Sequence, residues 1–214
     1  MLPLILLSHG SRHADAQAGI DALVRAVAGE LGCEVVDAHL DFSEHTLTAV
    51  AKRYDRAVVV PLLFSSGYHA RADVPAEVAA AQEETGCELV LADTLGVGPE
   101  IAELLARGVP EGKDLALYPV GSSRIQARAD YTTLQDTLAR ITGRSVEVIP
   151  ATGEGHGLGQ LGDRSVHVMP LFVTDGLLLD KARAQLNESS TISAPLTAAL
   201  APVVSSRYRQ AVSS

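Results

Sequence analysis

Tryptophan is absent from this sequence, and Phe, Trp and Tyr together make up only 4% of it, which argues against a platform of stacked aromatics for nucleobases. Positive charge is also scarce. Against 26 Asp and Glu stand 17 Lys and Arg, for a formal net charge of −9, the wrong sign for a partner as polyanionic as DNA or RNA. No nucleic-acid role is expected. Cys33 and Cys87 are the only two cysteines, too few for a disulfide framework; each stands in Gly-Cys-Glu before an apolar run and reads as a small core residue. Long apolar runs are missing as well. Leu4–Leu7 and Ala57–Phe64, the latter broken by Pro61, fall far short of the ~18 residues a membrane span requires. Residues 1–7 carry no positive charge and no small-residue cleavage site follows, so a cytoplasmic protein with no membrane partner is expected.

What the chain has is apolar content, 47% over 214 residues, enough to bury a core in one domain or two small ones. Short β-branched runs alternate with stretches of helical period. Strands are expected at Leu4–Leu7, Glu34–Leu40, Ala57–Leu63, Glu88–Ala92, Leu115–Tyr118, Val146–Ile149, Val166–Leu171 and Thr191–Ser193. Between them Ala18, Leu23, Val27 and Leu31 mark one helical face, and Leu134, Leu138 and Ile141 another. Runs this apolar suit parallel strands covered on both faces by helices, so the expected fold is doubly wound α/β.

The chain also compares with itself. His9-Gly10-Ser11 is echoed by Val120-Gly121-Ser122, and Pro61-Leu62 with Gly67 by Pro170-Leu171 with Gly176, in the same order and context, the mark of a tandem duplication. A boundary is expected near Pro110–Lys113, giving an N-terminal α/β domain over 1–112 and a C-terminal degenerate repeat over 113–214. The halves differ in charge: 7 Lys and Arg against 17 Asp and Glu in the first, 10 against 9 in the second. They differ in chemistry too. His9 pairs with Val120 and His69 with Leu178, so the first copy alone keeps an imidazole after two of its strands, where ligands bind in open α/β sheets.

His9 stands in Ser8-His9-Gly10-Ser11, where the glycine permits a tight turn and a following helix offers N–H groups to an anion. His69 ends Phe64-Ser65-Ser66-Gly67-Tyr68-His69, and Asp41 lies just beyond the second strand. His9, His69 and Asp41 form a candidate site for a divalent ion. His13, His39, His45, His156 and His167 lack a comparable position and are expected at the surface or in loops. Gly157-Leu-Gly159-Gln-Leu-Gly162 matches the dinucleotide fingerprint, but only three residues separate it from the next strand, leaving no helix to receive a pyrophosphate. Residues 151–164 therefore read as a mobile glycine-rich loop. Phosphate-loop and nucleophile-elbow motifs are both absent. Ser8-His9-Gly10 resembles the Arg-His-Gly of histidine phosphatases, with Ser8 in place of the arginine that would hold phosphate.

Leu6-Leu-Ser-His9-Gly-Ser-Arg12, together with Val60-Pro-Leu-Leu-Phe-Ser-Ser-Gly-Tyr-His69-Ala-Arg-Ala-Asp73-Val-Pro75, resembles the sirohydrochlorin chelatases. These class II chelatases insert Co²⁺ or Fe²⁺ into sirohydrochlorin for cobalamin or sirohaem. The likeness extends over essentially the whole chain, because two-domain members have the same degenerate second copy. It implies a lyase in which His9 is proton acceptor and metal ligand and His69 a metal ligand near the tetrapyrrole. An acidic residue after the second strand binds metal or substrate in that family; where the family usually has Phe-Leu-Glu, this sequence has His39-Leu40-Asp41. Phe64, Ser65, Ser66, Gly67 and Tyr68 are implied as substrate contacts by position, along with Gly10 and Ser11.

The chemistry agrees with the residue types. Metal insertion requires two pyrrole N–H protons to leave, and a neutral imidazole can accept a proton or hold a borderline metal loosely enough to release it. The expected partners are sirohydrochlorin and a divalent metal, both as substrates, with no permanently bound cofactor and no nucleotide. Iron, cobalt and nickel all suit His and Asp ligands. A non-catalytic metal or tetrapyrrole carrier using the same histidines is the alternative, and a histidine phosphatase a more distant one. A monomer is expected, since duplication joins both walls of a cleft in one chain. The less acidic second half is the expected wall for the polycarboxylate, with Arg124 as a candidate contact.

Overall fold

The computed structural model describes residues 1–64, 73–153 and 156–213. Strands β1 (Leu4–Ser8), β2 (Val35–His39), β3 (Arg56–Pro61) and β4 (Glu88–Leu91) alternate with helices α1 (Ala16–Leu31), α2 (Leu47–Ala51), α3 (Val74–Thr85) and α4 (Pro99–Ala106). The pattern restarts with β5 (Asp114–Tyr118), α5 (Ile125–Thr142), β6 (Val146–Val148), β7 (Val166–Pro170), α6 (Leu177–Gln185), β8 (Thr191–Ile192) and α7 (Ala201–Ser213). All eight expected strands form, with ends within two residues of those read from the sequence. They make two four-stranded sheets, ordered β2-β1-β3-β4 and β6-β5-β7-β8, parallel throughout. This is the doubly wound α/β fold, twice.

Burial explains the pattern. Leu4, Ile5, Leu6 and Leu7 are all buried, because β1 lies inside its sheet and meets helices on both faces. α1 buries Ala16, Ile20, Leu23, Val27 and Leu31; Ala18, expected on that face, is exposed, one helical step round from it. In α5, Leu134 and Leu138 are buried, whereas Ile141 in the last turn is 46% exposed.

The compact units are cut differently from the sequence repeats. Unit 1 comprises Met1–Gly96 and Thr197–Ser214, and unit 2 comprises Val97–Leu196. α4, the last helix of the first repeat, packs on α5 in unit 2, and α7, the last helix of the second, packs on α1, β3 and β4 in unit 1. Arg207 of α7 donates from Nε to the Thr94 carbonyl and from Nη2 to that of Leu95, both at 2.9 Å. The Tyr208 hydroxyl donates to the Leu2 carbonyl at 2.7 Å.

Three expectations need correction. His39 and His167 are neither surface nor loop residues: both lie in strands and are buried, made tolerable by polar partners on both ring nitrogens. For His167 these are the Thr191 and Ser193 hydroxyls at 2.8 and 2.9 Å, and burial, followed by the charges of Lys113 and Arg144, pushes its pKa down. Residues 151–164 are not a plain mobile loop in their described part. Leu158–Leu161 forms a 3₁₀ turn whose two leucines are buried, in one cluster with Tyr118, Val168 and Leu179. Gln185 Oε1 accepts the Leu158 N–H at 2.8 Å, so packing and a side-chain bond both hold the turn. Of the cysteines, Cys87 is buried and Cys33 half-buried.

Candidate active site

In unit 1 the strand order reverses at β1, with β2 on one side and β3 on the other, and such a reversal opens a crevice at the carboxyl ends of the strands. β1 delivers His9 to that edge. Ser8 pairs in register with His39, and beyond it the Ser8 carbonyl accepts the Leu40 N–H at 2.9 Å and the His9 carbonyl accepts the Asp41 N–H at 3.0 Å. The backbone thereby brings His9 and Asp41 together. Gly10 has φ +90, and a Cβ there would lie 2.0 Å from the Asp41 carbonyl oxygen; only glycine permits so close an approach.

A polar chain runs beneath this turn. His39 Nε2 lies 3.0 Å from Asp37 Oδ2, and Gln17 donates to the same carboxylate oxygen at 3.0 Å. The hydrogen bond from His39 lowers the Asp37 pKa from 3.8 to about 2, outweighing the opposing effect of burial, with Gln17 assisting. With Nε2 donating to the carboxylate, Nδ1 accepts from the Ser8 hydroxyl at 2.7 Å, a tautomer assigned from its partners. Ser8 Oγ in turn accepts the Gly10 N–H at 3.2 Å. Asp37, His39 and Ser8 thus fix the turn that carries His9.

Beyond Asp41 the chain does something unusual. Phe42 has φ 61, a left-handed conformation that costs a residue with a Cβ about 1 kcal/mol or more, and its N–H donates to Asp41 Oδ1 at 2.8 Å. The Phe42 ring is 45% exposed, meets the His9 ring edge-on at 6.0 Å, and has the Arg12 guanidinium 4.6 Å above its centroid. Asp41 itself is exposed, and its carboxylate has capacity for a further partner.

The remaining expected site residues are distributed as follows. Ser11 is exposed and its hydroxyl accepts the His13 N–H at 3.1 Å. Phe64 is half-buried, shortly after β3. Ser65, Ser66, Gly67, Tyr68 and His69 lie outside the described residues. Among the described residues no group of three or more His, Cys, Asp or Glu comes together as a metal site. Arg124 is the residue before the first turn of α5 in unit 2, exposed, with its N–H donated to the Ser122 hydroxyl at 3.2 Å. From the sequence, no role in the site is assigned to Asp37, His39, Arg12 or Phe42. For the first two a signal existed: residues two apart in a strand share one face, and two polar side chains on one face of a buried strand require partners.

Unit 2 repeats the backbone of this site. The Pro119 carbonyl accepts the Ala151 N–H at 2.8 Å and that of Val120 accepts the Thr152 N–H at 3.0 Å. Gly121 has φ +98, and a Cβ there would lie 2.5 Å from the Thr152 carbonyl oxygen. His9 therefore corresponds to Val120, His39 to Pro150, Asp41 to Thr152 and Phe42 to Gly153, whose φ is +94.

A family model described as CbiX matches residues 3–111. The chain belongs to the CbiX family. Among its relatives are sirohydrochlorin cobaltochelatases of Sulfurisphaera tokodaii, 34% identical over 77 residues, and of Saccharolobus solfataricus, 36% identical over 84 residues. Each match covers 34% of this chain, and 62% and 66% of those relatives' own lengths. In fold, this chain is similar to the sirohydrochlorin chelatase SirB from Bacillus subtilis subspecies spizizenii in complex with cobalt. The TM-score is 0.82 at 21% identity, over 100% of this chain and 96% of that one. It is also similar to CbiX, the terminal enzyme for biosynthesis of sirohaem in denitrifying bacteria, with TM-score 0.73 at 19% identity over 99% and 98% of the two chains. The CbiX match ends within the first repeat, the copy that carries His9, Asp41 and the His39 network. No helix among the described residues is long and apolar enough to cross a membrane.

Proposed function

We propose that this CbiX-family protein is a sirohydrochlorin chelatase, a lyase that inserts Fe²⁺ or Co²⁺ into the metal-free tetrapyrrole without nucleotide. The observation that carries the reading is the placement of His9. An exposed imidazole stands after the central strand of the first repeat, on a turn fixed from both sides, beside a carboxylate that the backbone brings to it. The activity of the relatives from S. tokodaii and S. solfataricus supports the same reading.

In this reaction two pyrrole N–H bonds break as two nitrogen–metal bonds form, and two protons are released for each divalent ion inserted. His9 accepts a pyrrole proton and passes it to water. His9, His69 and Asp41 hold the incoming ion and release it as the ring nitrogens replace them; nitrogen and oxygen ligands suit iron, cobalt and nickel without trapping them as thiolates would. Gly10, Ser11 and residues 64–68 contact the macrocycle, and Arg124 a peripheral carboxylate. The working form is a cytoplasmic monomer, since one chain contains both repeats.

An anaerobic insertion assay with Fe²⁺ and Co²⁺ in parallel tests the reading. A chelatase converts many equivalents of sirohydrochlorin per chain. A carrier built on the same histidines stops at one equivalent, and that result would replace the present reading with it.

A further inference from the structure

Of the three phenylalanines, Phe42 alone is exposed, and it occupies a position where the backbone is left-handed. The second repeat meets the same demand with Gly153, at φ +94, the residue for which such a conformation is free of steric cost. Phe42 therefore has an alternative within its own chain that would suit the backbone better. Its ring is not needed to fill the core. What it does contact is His9 at its edge and the Arg12 guanidinium over its face. Arg12 is exposed and lies in the acidic first half, where a cation beside the His9 turn changes the local field against the prevailing charge.

We propose that Phe42 and Arg12 form a recognition element for a planar, conjugated polycarboxylate: the Phe42 ring takes apolar contact with the macrocycle while Arg12, pre-oriented over that ring, pairs with a peripheral carboxylate. This deepens the chelatase reading and rests on it. It also relieves a difficulty. A polycarboxylate approaching a half with ten more acidic than basic residues in 1–112 meets repulsion, and a guanidinium beside His9 supplies a local anion contact where the proton must be taken. Guanidinium forks hold carboxylates with two parallel bonds, and aromatic contact with a flat ring is tolerant of its substituents.

The test uses the full chain and sirohydrochlorin, followed by metal-free binding titration and by steady-state Co²⁺ insertion. Arg12→Gln should raise both the dissociation constant and KM about 5- to 20-fold, leave kcat within about twofold, and flatten the salt dependence of binding. Arg25→Gln, the same charge change at an exposed position on α1, should move neither. Phe42→Gly should raise KM about 3- to 10-fold while melting within about 3 °C of the parent, since the left-handed position accepts glycine. With the methyl-esterified tetrapyrrole as probe, the Arg12 effect should vanish and the Phe42 effect persist.

Unchanged KM in both variants, with an active parent, overturns the proposal. So does an Arg25→Gln effect equal to that of Arg12→Gln, which would make net charge the cause. A Phe42→Gly protein that melts far below the parent and loses kcat rather than affinity would make Phe42 structural, and again overturns it. A parent that neither binds nor metallates sirohydrochlorin overturns the chelatase reading itself, an outcome visible before any variant is compared.

Discussion

The two repeats have one backbone and two chemistries. After β1 and after β5 the chain makes the same turn, with a left-handed glycine crowding the same carbonyl and the same pair of backbone hydrogen bonds. On that turn the first repeat carries His9, Asp41 and Phe42, and the second carries Val120, Thr152 and Gly153. Beneath it the first repeat has an Asp37–His39–Ser8 chain, whereas the second has Val148, Pro150 and Pro119. The glycine turn belongs to the fold, since both copies need it. The buried His39 and the left-handed Phe42 are each costly to fold, and the second copy has Pro150 and Gly153 at those positions. The proposed function assigns its chemistry to those side chains of the first copy rather than to the sheet.

The comparison breaks first at His9. His9→Ala should lower the insertion rate by about 10²- to 10⁴-fold, the usual range for a positioned proton acceptor, with an unchanged circular dichroism spectrum because the side chain is exposed. Val120→Ala should stay within about twofold of the parent. Equal effects on turnover would erase the functional distinction between the copies.

Next come the two glycines. Gly10→Ala and Gly121→Ala should each lose about 1–3 kcal/mol of stability in denaturant titrations, because each forces a Cβ into a carbonyl at positive φ. Gly10→Ala should in addition lose more than about tenfold in turnover through displacement of His9, and Gly121→Ala much less. Comparable turnover losses would mean that the second turn is also part of the reacting site.

A smaller effect separates the polar chain of unit 1 from its apolar counterpart. The pKa of Asp37 is lower in the folded protein than in the unfolded chain, so its contribution is complete above pH 3.8 and is lost as pH falls through about 2. After solvent screening that contribution is about 1–2 kcal/mol. Asp37→Asn should be less stable by that amount at neutral pH and show a shallower loss of stability below pH 4, measured by urea titration at each pH. Identical acid profiles would show that the chain under the His9 turn adds nothing. Smallest of all, Arg124→Glu should raise the sirohydrochlorin KM by about two- to fivefold with kcat nearly constant; an unchanged KM at low ionic strength would remove Arg124 from the site.

Much of this was legible in the residues. The eight strands announce themselves as short β-branched runs, and the repeated Gly-Ser after β1 and β5 announces the duplication. His9 and Asp41 follow from their places beyond strand ends. His39 did not, because a histidine in a strand reads as polar until Asp37 on the same face and Ser8 on the adjacent strand are seen to satisfy it. Phe42 did not either, since residue type does not specify handedness. Yet Phe42 lies 32 residues after Gly10, and Gly153 lies 32 after Gly121, so repeat spacing already placed a phenylalanine opposite a glycine. The cut between compact units was hidden for a different reason. It depends on which helix α4 and α7 choose as neighbour, and an amphipathic face does not name its partner.

That choice of neighbours has a consequence for synthesis. Unit 1 finishes its sheet at Leu91, but the helix that caps the Thr94 and Leu95 carbonyls and ties down Leu2 is completed only around Tyr208. At about 5–20 residues per second, the ribosome takes roughly 6 to 23 seconds to cover that distance. During this interval the nascent first sheet has its strands but not its last helix, while all of unit 2 is made. The unit begun first is therefore closed last, and the unit that holds the His9 turn is complete only after the other has been made.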